Sequence, residues 1–485
     1  MRVVILGAGV SGHTAALLLR KKLPRAHEVT VVTPNSKWNW IPSNIWVGTG
    51  EMQPEQVVFE LAPVYAKKGI AFHQAKATEL HPEGDATHPR PYVVAEGTGE
   101  ANRGQRVELE YDFLINATGP RLDFAATPGL GPDGGHSVSV CTYQHAAHAS
   151  KELDALVEQM KRGEKKTLVV GTGHGTCTCE GAAFEYIFNL EFELRKRGVR
   201  EQARLVFLTN EAELGDFGVG GLHLEMGGYV TPSRVFTESL FVERGVEWIV
   251  GAHVERVAPQ KVFYETLDGT HHELDFDFAM LLPPFGGVPL KAFGAKGEDL
   301  TSQLFSPRGF MLVDADYRPK PQAEWKPEDW PERYQTPKYK NVFAIGIAFA
   351  PPHAISTPRK TPNGTVIAPA PPRTGMPSAI MGRAVAQSIA DMILSGATDA
   401  TRGASMARLG AACVASAGAS WLSGTAASMT MFPIVPDFTK YPDSGRDLTH
   451  TTGEIGLAGH WIKQLLHHAF LYKAKAKPMW WLIPE

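Results

Sequence analysis

The chain has 485 residues, 43% of them hydrophobic and 20% charged. That composition fits a globular protein of about three domains and excludes a disordered or fibrous one. Its 48 basic and 51 acidic residues leave a net charge of −3, so it carries no electrostatic footprint for nucleic acid.

The chain opens on an apolar strand at 2–6, with no charged, then apolar, leader ahead of it, so no cleavable signal peptide is expected. No run of about 18 apolar residues occurs anywhere, which disfavours a spanning helix and leaves surface attachment open. Gly7, Gly9 and Gly12 follow the first strand and open a helix, and 28–33 reads as the next strand. This β-α-β order with G-x-G-x-x-G lets the backbone approach a pyrophosphate at the helix N-terminus. The second strand ends Thr33-Pro34-Asn35, where an acid usually holds the ribose hydroxyls, so Thr33 or Asn35 has to substitute. Residues 95–105 read as an exposed hairpin tip. Beyond them an apolar strand ends in Ala117-Thr118-Gly119-Pro120.

A second β-α-β unit starts near Thr167, with Gly171-Thr172-Gly173-His174-Gly175 after its strand, a helix from about 180 to 198 and a strand at 204–208. Thr176, Cys177 and Cys179 occupy its turn, and their side chains are expected to intrude where a nicotinamide cofactor would lie. The chain has four cysteines, Cys141, Cys177, Cys179 and Cys413, too few to staple it; they serve chemistry or simple burial. Cys177 and Cys179 have no His/Cys pair at ligand spacing, so no metal site is expected.

Residues 319–340 and 356–372 read as exposed, proline-rich connections, and 409–436 as strands passing close to a ligand. In the tail, apolar residues at 458, 461, 462, 465, 466, 469 and 472 form one helical stripe, followed by Lys473, Lys475, Lys477 and Trp480-Trp481. Lysines beside tryptophans suit an interfacial anchor; an ordinary docked helix is the alternative.

Taken in order, Cys141-Thr142-Tyr143-Gln144-His145-Ala146, Cys179-Glu180-Gly181-Ala182-Ala183-Phe184-Glu185, Gly346-Ile347-Ala348, Pro372-Arg373-Thr374-Gly375, Cys413-Val414-Ala415 and Phe432-Pro433 resemble the sulfide:quinone oxidoreductases. These belong to the two-dinucleotide-binding-domain, FAD-dependent flavoproteins of the pyridine nucleotide-disulfide oxidoreductase superfamily. Ile41-Pro42-Ser43-Asn44 agrees with the likeness, while Ile347 stands where the wider superfamily usually has Asp.

The resemblance implies an α/β fold: two Rossmann-like doubly wound domains with a C-terminal amphipathic membrane-binding region. The expected divisions are 1–135 and 286–400 for the FAD-binding domain, 136–285 for the second Rossmann-like domain and 401–485 for the quinone and membrane region. It implies that Gly7, Gly9, Gly12, Thr33, Asn35, Ser43, Asn44, Ala77, Ala117, Thr118, Gly119, Pro120, Gly346, Ile347, Arg373, Thr374 and Gly375 hold FAD. Cys179 and Cys413 would be the redox pair, Cys141 an assisting cysteine, and Glu185 and His145 the proton-handling groups. Asp216 stands where the family has a further histidine. Lys463, Leu466 and Phe432 are the quinone-side candidates. Sulfide would attack the Cys179/Cys413 disulfide and two electrons would pass through FAD to membrane quinone. The expected setting is peripheral attachment to the lipid surface of a prokaryotic plasma membrane, with a homo-oligomer possible. Two rivals share the outline: a type II NADH:quinone oxidoreductase, which would want an open second glycine turn, and a flavocytochrome c-like sulfide dehydrogenase flavin subunit, which would lack the anchor.

Overall fold

The computed structural model describes residues 1–178, 180–371 and 375–485. Along the chain, β1 (Arg2–Leu6) leads into α1 (Val10–Lys22), then β2 (Glu28–Thr33), β3 (Ala71–His81), β4 (Tyr92–Gly97), β5 (Arg106–Glu110) and β6 (Phe113–Asn116). Next come α2 (Tyr143–Lys161), β7 (Lys166–Thr172), α3 (Glu180–Lys196), β8 (Ala203–Leu208), β9 (Val246–Ile249) and β10 (Phe278–Leu282). The chain then returns through β11 (Val342–Ala344) and α4 (Met376–Ser395) and ends in β12 (Ala411–Ala417), β13 (Thr425–Met431), β14 (Gly453–Gly456) and α5 (Leu457–Ala474).

The first sheet runs β11-β6-β1-β2-β3-β4-β5, parallel from β11 to β3 and antiparallel at the hairpin edge. Its central strand, Val3-Val4-Ile5-Leu6, is buried throughout, as a strand covered on both faces requires. α1 lies along α4 at very short range: a Cβ on Gly382 would stand 2.4 Å from the Ser11 carbonyl oxygen. The second sheet, β9-β8-β7-β10, is wholly parallel. β11 therefore joins a sheet begun some 340 residues earlier, which brings the late glycine turn beside the first. The third sheet, β12-β13-β14, is antiparallel and carries α5 on one face. The strands expected in 409–436 are thus present.

Two loop expectations need correction. Residues 319–340 are not wholly exposed: Trp330 and Tyr334 are buried, and Lys320 bridges Asp316 and Asp329. Apolar side chains outweigh the local charge, and the segment folds onto the core. The stretch after 356 is not a plain surface connection either. Arg359-Lys360 pairs with Val366-Ile367, and the strap so formed lies against the second glycine turn.

Candidate active site

Three glycine-ended segments meet at the start of α1. A Cβ on Gly7 would stand 2.1 Å from the Ala117 carbonyl oxygen, one on Gly12 2.2 Å from that of Gly7, and one on Gly346 2.6 Å from Ser11 Oγ. No side chain fits at these contacts. Gly7 (φ +98°) and Gly346 (φ +66°) also need the left-handed region that glycine tolerates.

Around Gly9, Gly119 and Gly375, by contrast, no atom of the described residues lies within 4 Å of a built Cβ. Gly9 and Gly375 are the N-caps of α1 and α4, and neither helix has a side-chain cap. Unsatisfied helix N–H groups beside open space are the setting a pyrophosphate needs, so the residues present fit a dinucleotide such as FAD. Thr118 is held to Asn116 Oδ1 through both its N–H and its hydroxyl, and Pro120 pairs with Gly287. Thr33 ends β2 buried, and Asn35 is exposed just beyond it. Ala77 is buried in β3 beside a bulge, and Ile347 is half-buried after Gly346. Arg373 and Thr374 lie outside the described residues. Ser43 and Asn44 already have protein partners: the Ser43 hydroxyl is hydrogen-bonded to His467 at 2.8 Å, and Asn44 donates to the Val140 carbonyl and to Asn39.

The second glycine turn is closed, and of the three residues expected to fill it Cys179 lies outside the described residues and Thr176 is half-buried with its hydroxyl 3.0 Å from His174 Nδ1. Cys177 does not project into a nucleotide path: it is buried and its thiol donates to the Leu282 carbonyl at 3.0 Å. The strap closes the turn. Ala368 N–H donates to the Gly175 carbonyl (2.8 Å), Ala370 N–H to the Cys177 carbonyl (3.0 Å) and Thr178 Oγ1 to the Ala370 carbonyl (3.0 Å). On the other side Gly175 N–H donates to His253 Nδ1, and His253 packs edge-on against His174. The strap itself is anchored by the buried Glu265, which accepts from Asn363 and Thr365.

Among the sulfurs, Cys179 lies outside the described residues. Cys413 Sγ stands 3.4 Å from the Cβ position of Gly181, against the first turn of α3. Burial, then the charge of Glu185, push its thiol up to about 11, against the opposing pull of Lys463. Cys141, before α2, is likewise pushed up to about 11 by burial. His145 pairs with Asp133 at 3.8 Å, and burial lowers its ring despite that partner.

Glu185 is buried, so it is not a solvent-facing helix residue. Its Oε2 accepts from Lys463 Nζ at 2.8 Å, and its Oε1 accepts from Ser416 N–H and Oγ at 3.2 Å. Burial raises its carboxyl above the usual range, and Lys463 and Ser416 offset part of that rise. One turn on, Asn189 donates to the Ser416 carbonyl and accepts from Gly418 N–H. Cys413 and Glu185 are thereby fixed between α3, β12 and α5.

The sequence separates Lys463 from Glu185 by most of the chain, and their pairing was not foreseen. The signal was the face opposite the apolar stripe. His460, Lys463, Gln464 and His467 lie buried along α5, whereas Trp461, Ile462, Leu465 and Leu466 lie exposed. The helix also docks through Phe470 stacked on Trp40 and through His13, which donates to the Ala474 carbonyl. Two expected anchor residues face inward: Lys473 is ion-paired with Glu485, and Trp480 is buried, because the chain folds back across the end of α5. Nor are the quinone candidates assembled. Lys463 is in the buried pair, Leu466 faces out, and Phe432 lies beyond β13 against His450.

Residues 1–197 match the sequence profile of the pyridine nucleotide-disulphide oxidoreductases, the class that the paired dinucleotide folds and the flanking cysteines define. Over 391 residues, 81% of this chain and 76% of the relative, the chain is 30% identical to the sulfide-quinone reductase of Aquifex aeolicus (strain VF5). The crystal structure of the sulfide:quinone oxidoreductase from that bacterium matches 98% of this chain and 91% of its own, with a TM-score of 0.74 at 28% identity. The chain belongs to the sulfide-quinone reductase family. NDH2 from Plasmodium falciparum, with a TM-score of 0.51 and 13% identity over 72% of this chain and 64% of that one, shares the fold alone.

Proposed function

We propose that this chain oxidises sulfide at a cysteine pair and passes the electrons through FAD to quinone. The observation that carries the reading is the placing of Cys413 against the first turn of α3, beside a buried Glu185–Lys463 pair. Burial pushes the free thiols at 141 and 413 up to about 11, which disfavours either as the attacking thiolate and leaves hydrosulfide as the nucleophile. In a disulfide between Cys179 and Cys413, attack leaves a persulfide on one sulfur and releases the other, whose charge Lys463 stabilises. Glu185, whose carboxyl burial raises above the usual range, stands beside Cys413 as the group through which a proton of that exchange would pass. FAD bound at the three glycine turns would supply two-electron acceptance and onward transfer to a quinone. Cys141, just before α2, and His145, in its first turn, serve as supporting groups, and we take 1–135 with 286–400 as the FAD-binding half.

The outward apolar face of α5, with Trp481 and Leu482, supports peripheral attachment to lipid. No helix among the described residues is long and apolar enough to cross a membrane. The exposed fractions of Trp461, Ile462, Leu465 and Leu482, between 47% and 62%, would contribute about 1 kcal/mol each on burial, enough together for reversible docking.

Anaerobic stopped-flow mixing tests the reading: sulfide should bleach the flavin, and Cys413→Ser should keep FAD but lose the response. Full activity in Cys413→Ser would end it. The NADH:quinone reading is disfavoured by the strap over the second turn.

A further inference from the structure

Besides Glu185, three other carboxyls converge on one turn, residues 216–218. Glu180, the first residue of α3, is fully buried, and neither of its carboxyl oxygens makes a hydrogen bond of full geometry among the described residues, its nearest donors being Asn210 and its own backbone N–H. Its Oε2 stands 3.3 Å from the Cβ position of Gly218, so it points into the turn. Glu211, also buried, accepts from Phe217 N–H at 2.7 Å and from Thr209 Oγ1 at 2.8 Å. Asp216 accepts from Gly218 N–H at 3.0 Å and from Ser356 Oγ at 2.8 Å. Asp216 also lines a cavity of about 590 Å³, whose wall includes the exposed Arg359 and so reaches the surface.

Among the described residues, cations face only the Asp216 end of this cluster. Cys177 and Asn210 lie beside Glu180, and Arg359 and Arg446 lie on the Asp216 side. The Arg446 guanidinium donates to the carbonyls of Val219, Gly221, Pro433 and Ile434 and keeps its charge on the Asp216 side. Glu180 and Glu211, buried beside Asp216 without an ion pair among the described residues, cannot both be charged.

We propose that Glu180, Glu211 and Asp216 form a proton relay from the cysteine end of α3 to the cavity beyond Asp216. The proposal rests on the sulfide reading above, because that chemistry creates the need. Removing two electrons from hydrosulfide leaves one sulfur atom and one proton, released at the end of α3 where Cys413 stands against Gly181, the covalent neighbour of Glu180. When an S–H bond at the cysteine breaks, its electron pair stays on sulfur and its proton enters the relay at Glu180. A second proton leaves Asp216 to water, so the charge of the cluster is unchanged. Burial and mutual repulsion suit the groups to this: Glu180 is held well above the carboxylate range and Glu211 is pushed up to about 8. The three act through the cysteines and are positioning residues.

The test uses the full-length, FAD-loaded protein. Infrared spectroscopy at neutral pH should show a protonated-carboxyl C=O band that Glu180→Gln removes. The same variant should slow flavin reduction by sulfide about ten-fold or more while FAD stays bound. Asp216→Asn should slow it too and flatten its pH profile, Asp216→Glu should restore both, and the exposed Glu213→Gln should leave all readouts unchanged. A band absent from the unmodified protein, or rates and pH profiles unmoved in both Glu180→Gln and Asp216→Asn, would overturn the relay. If Glu180→Gln does not fold, the Asp216 pair decides by the same readouts. A flavin that sulfide leaves oxidised in the unmodified protein would overturn the sulfide reading and the relay with it; persistence of the band separates that failure from a failure of the relay alone.

Discussion

The two glycine turns begin alike, each as a buried parallel strand running into a helix, and end as opposites. At the first, the space around Gly9 and Gly119 is open and two helix N-termini face it uncapped. At the second, the strap hydrogen-bonds to the carbonyls of Gly175 and Cys177, and a Cβ on Gly175 would meet His253 Nδ1 and the Val366 carbonyl oxygen at 2.9 Å. One supersecondary unit therefore serves as a cofactor seat or as a scaffold for sulfur chemistry, according to whether later chain covers its turn. Glycine count does not distinguish them; the covering segment does.

The sharpest way to break this contrast is to put the same side chain at both turns. Gly9→Val places its Cβ clear of every described atom but fills the seat, and should cut FAD affinity on the order of a thousand-fold, about 4 kcal/mol, with the far-UV spectrum intact. Gly175→Val should keep FAD and loosen the strap. Equal flavin content in the two variants would erase the distinction.

The next effect falls where the second unit meets α5. Lys463→Met leaves Glu185 buried without its cation and should cost about 3 kcal/mol in a denaturant titration. The carboxyl, already raised, rises further in the folded state. A group with a raised folded pKa destabilises as pH climbs, so the loss should be small below about pH 4, the unfolded value, and grow above it. A loss independent of pH would remove the charge argument.

Smaller again is the strap. Ala370→Pro deletes the N–H that holds the Cys177 carbonyl and should cost about 1–2 kcal/mol, read as a lower Tm and faster proteolysis near 360. NADH should leave the flavin oxidised in the unmodified protein; rapid reduction would show the second turn to be open. Leu465→Asp, on the outer face of α5, should change stability by less than about 0.5 kcal/mol yet weaken liposome binding. Unchanged binding would locate the lipid contact elsewhere.

Much of this was legible in the sequence, because strand-turn-helix units and an apolar stripe are local patterns. Gly7, Gly9 and Gly12 announced the first seat, and the 3.6-residue spacing announced the outer face of α5. The remainder depends on contacts between distant segments, which periodicity does not encode. Cys177 was expected to bar the second turn, yet it tucks under Leu282, and the bar comes from residues almost 200 positions later. Lys463 was placed with the quinone and pairs instead with Glu185. Lys473 and Trp480 fitted an interfacial pattern, but the end of the chain folds over them. The proline count of 356–372 signalled a loop and gave no hint of what the loop lies against.

The inverted helix carries one more consequence. Its lipid-seeking side chains and the cation beside the reactive sulfur share a single rigid rod of 18 residues. Under the lipid attachment proposed above, pulling that rod from its seat would withdraw Lys463 from Glu185 in the same movement that withdraws the outer tryptophan and leucines from the bilayer. Location and competence would then be wired together, and a molecule shed into water with the rod undocked would lose the counter-charge that the proposed thiol exchange uses.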